Sequence, residues 1–304
     1  MTDFSLQTLL DFLRWSVSQM NANAAYFGHG TDNSDDEAML LLSDTLHLPY
    51  PIKPEYLHAR LTEAEKKQLL FLLQRRIEEK IPMPYLIHKA WFCGLEFYVD
   101  PRVLIPRSPI GELIENQFSP WIEPSLVQNV LDLCTGSGCI AIACSHVFPE
   151  AHVDAVDICP EALEVASKNI QLHQSESSVS LWQSNLFQAL PPKTGYDIIV
   201  SNPPYISAAE LATLPPEYHH EPTHALLAHP NSPHGLEIID KILAQAGEHL
   251  SPHGILIVEV GNAEEALIEK YPDIPFLWLE FEHGGTGVFL LTAQQCKDII
   301  AERE

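Results

Sequence analysis

Hydrophobic residues recur at helical spacing in the first third of the chain. Between Leu6 and Val17 they fall three or four positions apart, which is the period of an amphipathic helix. The same spacing predicts further helices at about 35–46 and 62–79. We therefore expect residues 1–80 to form a small helical domain.

Prolines end this helical pattern between residues 81 and 109. A proline lacks the amide hydrogen that a continuing helix needs, and five occur here: Pro82, Pro84, Pro101, Pro106 and Pro109. The aromatic stretch from Trp91 to Tyr98 has the composition of a strand. The sequence therefore predicts a hairpin-like connector at 81–109, with a domain boundary in it.

After Pro124, short β-rich runs alternate with helical ones. The predicted strands cover 130–134, 152–157, 179–183, 196–201 and 255–260. Helical patterns lie between most of them, at 138–147, 160–173, 235–250 and 263–270. This alternation is typical of an α/β fold, a parallel sheet wrapped by helices. The tail adds two β-rich runs, at 276–281 and 287–292, which predict an antiparallel hairpin at one sheet edge.

The composition limits what the protein can bind. The 304 residues include 17 Lys and Arg against 41 Asp and Glu, a formal net charge of −24. Proteins that grip nucleic acid or an anionic membrane need a basic face, so we expect no direct nucleic-acid binding and favour a basic protein partner. No apolar run approaches the roughly 18 residues of a membrane span, and residues 1–20 lack the features of a signal peptide. We therefore expect a cytoplasmic protein without a membrane partner.

The sequence shows no metal-ligand pattern. Its six cysteines include no Cys-x-x-Cys pair, so neither a zinc site nor a disulfide framework is predicted. Four histidines crowd the loop around Glu221 at spacings that match no zinc site: His219, His220, His224 and His229. We expect a loop role for them, and a lid anchored by Glu221 is the functional form of that expectation.

A tight glycine turn follows the first strand of the α/β region. Gly136 and Gly138 allow the backbone to turn sharply and let a ligand approach without interference from a Cβ atom. Asp157 ends the next predicted strand, where its carboxylate can accept hydrogen bonds from both hydroxyls of a ribose. These features predict nucleotide binding.

The glycine spacing leaves two kinds of nucleotide open. Gly136-x-Gly138-x-x-Ala141, with Asp157 about 20 residues on, also satisfies the dinucleotide fingerprint of a nicotinamide-dependent oxidoreductase. Asp132, at the end of the first strand, would oppose a pyrophosphate but suits ammonium and sulfonium charges. S-adenosylmethionine carries both charges, so we favour it as the cofactor.

The most specific motif is Asn202-Pro203-Pro204-Tyr205, directly after the predicted strand 196–201. It lies at the carboxyl edge of the sheet, where open α/β folds bind ligands. The prolines stiffen the turn and leave their carbonyl oxygens free, and the side-chain carbonyl of Asn202 is a further acceptor. Together these oxygens can hold an NH2 group, with Tyr205 packed on the planar face of the acceptor.

An amide or exocyclic amine needs such a grip because its nitrogen lone pair is delocalised and attacks a methyl sulfonium poorly. Acceptors on its hydrogens stabilise the charge that develops on nitrogen and orient the lone pair along the methyl–sulfur axis. No strong base is required before transfer, since the proton can leave afterwards. We therefore predict Asn202, Pro203 and Tyr205 as catalytic residues.

With these motifs the sequence resembles the Asn-Pro-Pro-Tyr S-adenosylmethionine-dependent methyltransferases that modify a glutamine side-chain amide in translation proteins. The resemblance covers nearly the whole chain, including Ile105-Pro106-Arg107, the loop from Asp132 to Gly138, Asp157, Asn202 to Tyr205 and Glu221-Pro222. It implies a Rossmann-like class I methyltransferase domain at 110–304, with a seven-stranded sheet and an antiparallel edge hairpin. It also implies a substrate-recognition role for the helical domain at 1–80.

Three stretches resemble the branch of this family that methylates large ribosomal subunit protein three. They are Arg107 to Ile114, Cys134, and Phe281 to Phe289. Members that act on peptide-chain release factors usually continue Ile-Pro-Arg with proline and acidic residues, whereas Ser108 follows here. The resemblance thus implies methyl transfer from S-adenosylmethionine to a glutamine amide nitrogen of a basic ribosomal protein.

The resemblance also implies a role for each site residue. The methionine part of the cofactor would be lined by Thr135, Gly136, Ser137 and Gly138, and the ribose would be held by Asp157. The adenine would lie beside Ser184 to Phe187, including Asn185 and Leu186. Relatives often carry aspartate in place of Asn185, so a modest loss of cofactor affinity is expected.

The substrate side of the site is implied in the same way. The glutamine would be bound by Asn202, Pro203, Pro204 and Tyr205, with Glu221 in a loop over it. Arg107 is a candidate for contacting the cofactor carboxylate or the substrate backbone, and an ordinary ion pair is the alternative.

Three further functions stay open beside the oxidoreductase. The substrate could be a release factor, since the branch rests on the resemblance. It could be the exocyclic amine of adenine in DNA, whose nitrogen lone pair is delocalised in the same way and could be held by the same motif. The negative net charge of the protein disfavours this alternative. A non-catalytic assembly factor that holds a ribosomal partner is the third, and the intact motif at 202–205 speaks against it.

Overall fold

The computed structural model describes residues 6–190, 195–229 and 232–301. The chain divides into two units, one of Met1–Ala90 with Pro215–His220 and the other of Trp91–Leu214 with Glu221–Glu304. None of the helices in the described ranges combines the length and the apolar composition that spanning a bilayer requires.

The first unit is helical. It contains α1 (Leu9–Ala22), α2 (Ser34–Thr45), α3 (Glu63–Glu78) and α4 (Met83–Ile87). The helices predicted from the periodicity are confirmed. The first one begins at Leu9 rather than Leu6 because Thr8 caps it: the Thr8 hydroxyl accepts the Asp11 amide, and the Asp11 carboxylate accepts the Thr8 amide.

A buried arginine joins the inserted segment of this unit to its helices. Nη1 of Arg76, on α3, donates to Oε1 of Glu217 over 3.0 Å, and its Nε donates to Glu37 on α2. Its Nη2 donates to the carbonyl of Tyr26 over 2.6 Å, and the Tyr26 amide donates to Glu217 over 2.9 Å. The 3-10 helix Pro216–His220 is therefore held by a buried network of charges.

A two-stranded hairpin is formed by β1 (Lys89–Phe92) and β2 (Leu95–Tyr98). Cys93 and Gly94 connect the strands with φ values of 47° and 70°. A two-residue hairpin turn of type I′ needs positive φ at both positions. The strand character predicted for residues 91–98 is confirmed.

A larger sheet organises the second unit. Its strands are β3 (Asn129–Leu133), β4 (His152–Asp157), β5 (Val179–Gln183), β6 (Tyr196–Ser201), β7 (Leu250–Glu259), β8 (Leu277–Trp278) and β9 (Val288–Thr292). In the described part of the chain it has seven strands in the order β5-β4-β3-β6-β7-β9-β8. The first five run parallel, and β9 is antiparallel to β7 and β8. The predicted α/β fold and its edge hairpin are confirmed, although β8 is shorter than the predicted 276–281.

In its described part, the second unit also contains eight α-helices. They are α5 (Ile110–Glu115), α6 (Cys139–Val147), α7 (Pro160–Leu172), α8 (Ala208–Leu211), α9 (Thr223–Leu226), α10 (Glu237–His249), α11 (Glu264–Lys270) and α12 (Ala293–Ala301). The four helices predicted between the strands are confirmed as α6, α7, α10 and α11. Helices α4, α5, α8, α9 and α12 were not predicted from the sequence. Helix α4 forms despite Pro84 because this proline lies in its first turn, where no amide hydrogen is needed, and α8 and α9 have only four residues each.

The central strands are buried on both faces, as expected for a parallel sheet. In β6, Ile198 and Val200 belong to one apolar cluster, and Ile199 between them belongs to the other. Side chains alternate across a strand, so the continuous apolar run fills the core on both sides.

The strand order creates a crevice at the carboxyl edge. The chain leaves β3 toward β4 on one side, and β6 pairs with β3 on the other. Open α/β sheets bind ligands at such a switch point. Polar residues lie at or next to the strand ends here: Asp132, Asp157, Ser201 and Glu259.

Candidate active site

A cavity of about 290 Å³ opens at this carboxyl edge. Nine of the residues predicted from the sequence line it: Arg107, Thr135, Gly136, Ser137, Asp157, Asn185, Leu186, Asn202 and Pro204. The other five do not form its wall: Asp132, Gly138, Pro203, Tyr205 and Glu221. The structure thus brings the loop after β3 and the motif after β6 to one cavity.

The glycine loop after β3 is a tight turn with a left-handed backbone at three positions. Cys134, Gly136 and Gly138 all have positive φ, at 61°, 55° and 81°. Gly138 is the N-cap of α6, and a Cβ atom there would lie 3.2 Å from the Cβ of Ala166. At Gly136, a Cβ would meet no atom within 4 Å, so this position leaves open space on the cavity wall.

Asp132 lies beneath this loop and is wholly buried. Its Oδ2 accepts the Thr135 hydroxyl at 2.5 Å and the Ala141 amide at 3.1 Å. Within the described ranges, Oδ1 has no hydrogen-bond partner. Burial raises the pKa of Asp132 to about 7. Its contacts show that it braces the loop, and a direct role toward a sulfonium stays a prediction.

Asp157, the last residue of β4, lies on the cavity wall. Oδ2 accepts the Gly136 amide and Oδ1 accepts the Cys159 amide, each at 2.9 Å. Burial raises its pKa, and the hydrogen bonds from the Cys159 and Gly136 amides oppose that effect. A carboxylate has about four acceptor positions, and the hydrogen bonds from backbone amides leave part of this capacity for ligand hydroxyls.

The loop after β5 closes the same side of the cavity. The Ser184 amide donates to the carbonyl of Asp157 over 2.9 Å, which ties the two loops together. Leu186 is buried with a φ of 52°, while Asn185 is exposed. Ile158 and Ile238 add apolar surface to this wall.

The motif at 202–205 is fixed to the sheet at its start. The Ser201 hydroxyl donates to the carbonyl of Leu133 over 2.8 Å, which joins the ends of β6 and β3. Asn202 is half-buried on the cavity wall. Its side-chain amide makes no hydrogen bond within the part of the chain that the structure describes, so it is available to a ligand.

Arg107 and Glu221 form a bidentate ion pair. Nη1 and Nη2 of Arg107 donate to Oε1 and Oε2 of Glu221 over 2.6 and 2.7 Å. The Glu221 side chain is fully buried, and its Oε1 also accepts the Ile105 amide at 3.0 Å. The ion-pair alternative for Arg107 is therefore observed, while the guanidinium still contributes to the cavity wall.

Two histidines of the 219–229 loop have contacts of their own. Nε2 of His220 lies 2.7 Å from the carbonyl of Glu79 in the helical unit, whereas Nδ1 of His229 lies 3.3 Å from Glu237. Among the described residues, no group of His, Cys, Asp and Glu is arranged to hold a metal ion.

Two residues that contact the motif directly or through each other, Glu259 and Ser108, were not predicted from the sequence as part of the site. The Tyr205 hydroxyl donates to Oε1 of Glu259 over 2.8 Å, and the Ser108 hydroxyl donates to Oε2 over 2.5 Å. Glu259 is the last residue of β7 and is buried. The sequence did contain a signal for Glu259: an acidic residue ends this apolar strand, just as Asp157 ends β4.

Comparisons with known proteins give consistent descriptions. The family model "Methyltransferase small domain" matches residues 117–214. A "Ribosomal protein uL3 glutamine methyltransferase" from Francisella tularensis subsp. tularensis (strain SCHU S4 / Schu 4) is 48% identical over 289 residues, covering 95% of this chain and 91% of that protein. A protein of the same name from Neisseria gonorrhoeae (strain ATCC 700825 / FA 1090) is 47% identical over 291 residues, covering 95% and 96%. Among solved structures, the T. Thermophilus 16S rRNA methyltransferase RsmC in complex with AdoMet and guanosine has a TM-score of 0.47 and 20% identity, covering 67% of this chain and 49% of that one.

Proposed function

Because the chain belongs to the family of ribosomal protein uL3 glutamine methyltransferases, we propose that it methylates the side-chain amide of a glutamine in ribosomal protein uL3. It is an S-adenosylmethionine-dependent methyltransferase. The observation that carries the proposal is the uncommitted Asn202 side chain on the same cavity wall as Asp157.

The cavity residues fit S-adenosylmethionine. The remaining acceptor capacity of the Asp157 carboxylate suits the ribose hydroxyls, and the open space at Gly136 admits a ligand close to the backbone. Thr135, Ser137 and Gly138 belong to the loop proposed to hold the methionine part, and Asn185 and Leu186 to the wall proposed for the adenine. When bound, this cofactor supplies an electrophilic methyl group on a positively charged sulfur.

The motif after β6 is proposed to hold the glutamine. The side-chain carbonyl of Asn202 and the backbone carbonyl of Pro203 accept the two amide hydrogens. They thereby stabilise positive charge on the nitrogen as it is methylated. Pro204 stiffens the turn, and Tyr205 bounds the acceptor position. Arg107 and Glu221 are the remaining residues proposed to bind the substrate. The buried Glu221 carboxylate holds the Arg107 guanidinium in place through two hydrogen bonds.

The charge and the helical unit complete the proposal. A net charge of −24 favours a basic ribosomal protein over nucleic acid. We propose that residues 1–80 recognise this protein, that 81–109 form the connector and that 110–304 carry out the methyl transfer in the cytoplasm.

The experiment incubates the protein with purified uL3 and isotope-labelled S-adenosylmethionine, followed by mass spectrometry of the peptides. We expect the label on a glutamine with wild-type protein and at least a 100-fold slower reaction with Asn202→Ala, since an acceptor that acts in the transition state is lost. Asn116→Ala is the control, because Asn116 is exposed and caps α5 outside the cavity. Release factors and duplex DNA form parallel arms. Label on either one, with none on uL3, would overturn the proposed substrate.

A further inference from the structure

Tyr205 is held at three places. Its hydroxyl donates to Oε1 of Glu259 over 2.8 Å. Its ring lies against Gly261, where an added Cβ atom would come within 2.5 Å of the ring carbon Cε2. Its backbone carbonyl lies against Gly235, where an added Cβ would lie 1.7 Å from the oxygen. The ring and the main chain therefore have little freedom to shift.

Gly261 is itself packed closely against Gly287. A Cβ atom on Gly287 would lie 2.2 Å from the Gly261 carbonyl oxygen. The Val260 amide donates to the Gly287 carbonyl over 2.6 Å. The start of β9 thus supports the turn on which the Tyr205 ring rests, and both glycines are needed for this close approach.

Glu259 organises this arrangement through two hydroxyl donors. Its Oε1 accepts Tyr205 and its Oε2 accepts Ser108, whose oxygen in turn accepts the Ile110 amide at 3.2 Å. The side chain is 6% exposed, and no lysine or arginine of the described ranges lies within ion-pair distance. A buried carboxylate must be satisfied by hydrogen bonds, so the two hydroxyls and the carboxylate fix one another.

The position of Glu259 follows from the sheet. β7 is the neighbour of β6, and Ser201 pairs with Val258. Glu259 therefore stands beside the first residue of the Asn-Pro-Pro-Tyr motif, while Tyr205 turns back toward it. A side chain at this register position can act on the motif without touching the cavity, and Glu259 does not line the cavity.

We propose that Glu259 is a positioning residue for the methyl acceptor: it tethers the Tyr205 hydroxyl, and so keeps the 202–205 corner in the geometry that grips the glutamine amide. This inference rests on the proposed function of that corner. Asn202 and the prolines supply the contacts, and Glu259 supplies their alignment. Small misplacements of reacting groups cost up to about 100-fold in rate.

A double-mutant cycle tests the tether, using the full chain with Glu259→Gln, Tyr205→Phe and both together. We expect each single variant to lower kcat/KM for uL3 by about 10- to 100-fold, with the Kd for S-adenosylmethionine unchanged within about twofold. The kcat/KM of the double variant should be no lower than that of the less active single variant, because the effects of residues that act as one unit are not additive. Glu265→Gln, exposed on α11, is the matched control. Additive losses, or full activity of Glu259→Gln, would refute the tether.

A readout independent of activity separates this inference from the proposed function. In protein with 13C-labelled tyrosine, the Cζ resonance of Tyr205 is identified by its loss in Tyr205→Phe. We expect Glu259→Gln to shift this resonance and Glu265→Gln to leave it in place. If Glu259→Gln does not fold, Gly261→Ala displaces the Tyr205 ring through its added Cβ atom and must lower kcat/KM with Glu259 intact. An unmoved resonance would refute the tether even if uL3 is methylated, and a moved one would support it even if uL3 is not.

Discussion

Arg76 donates to Glu217 over 3.0 Å although 141 residues separate them in the chain. Both side chains are 1% exposed, and Glu37 shares the same guanidinium. The segment Pro215–His220, ten residues beyond the Asn-Pro-Pro-Tyr motif, is thereby held within the helical unit by a buried network.

Removing this guanidinium should destabilise the protein strongly. Arg76→Met leaves two buried carboxylates without their cation, which costs about 3–5 kcal/mol. Urea denaturation measures the change in the free energy of unfolding. The adjacent Arg75→Ala loses a partly exposed pair with Glu79 and a cation–π contact with Phe71, and should cost about 1–2 kcal/mol at most. Equal effects of the two variants would contradict the prediction.

Arg107→Lys should loosen the loop that begins at Glu221. A lysine ammonium is a compact charge and does not reproduce the bidentate contact with both carboxylate oxygens. We therefore expect the free energy of unfolding to fall by about 1.5–3 kcal/mol. The Ile105 amide, which donates to Glu221, should exchange its hydrogen faster in this variant. Hydrogen-exchange mass spectrometry of the peptide containing Ile105 measures this. Arg14→Lys, at an exposed position of α1, should leave the exchange unchanged, and unchanged exchange in Arg107→Lys would refute the role of the pair.

The buried Asp132 should make stability depend on pH. Burial raises its pKa to about 7, whereas the pKa in an unfolded chain is about 3.9. The folded state therefore binds the proton more readily, and the contribution of Asp132 to stability falls as the pH rises from about 4 to about 7.

The comparison that isolates this effect is wild type against Asp132→Asn, which carries no titrating group at this position. Their difference in the free energy of unfolding, wild type minus variant, should be smaller at pH 8 than at pH 5 in urea denaturation. Asp298→Asn, at an exposed position of α12, is the control and should show no such trend. A difference that grows with pH would contradict the assignment.

Gly138→Ala should weaken both folding and cofactor binding. Its φ is 81°, and the new Cβ would lie 3.2 Å from the Cβ of Ala166. Gly284 has a similar φ of 87° but open space around it, so Gly284→Ala carries only the backbone strain of about 1–2 kcal/mol. We expect Gly138→Ala to lose more stability than this control and to raise the Kd for S-adenosylmethionine, measured by calorimetry. Equal losses in the two variants would show that the contact with Ala166 is unimportant.

The sequence by itself determined the elements and their broad arrangement. Hydrophobic spacing predicted the helices of the first unit and the parallel strands of the second, because the period of buried positions is set by backbone geometry alone. It also predicted that Asp157 and Asn202 share a site, because parallel strands present their carboxyl ends at the same edge of a sheet. Both residues line one cavity.

Only the tertiary structure decided which side chains pair. Glu259 meets Tyr205 because β7 lies next to β6, and Arg107 meets Glu221 across 114 residues. Asp132 lies beneath its loop rather than on the cavity wall because it accepts the Ala141 amide at the start of α6. Such partners depend on strand order and burial, which bring together residues far apart in the chain. A local pattern records the period of an element, and it carries no information about which distant group packs against it.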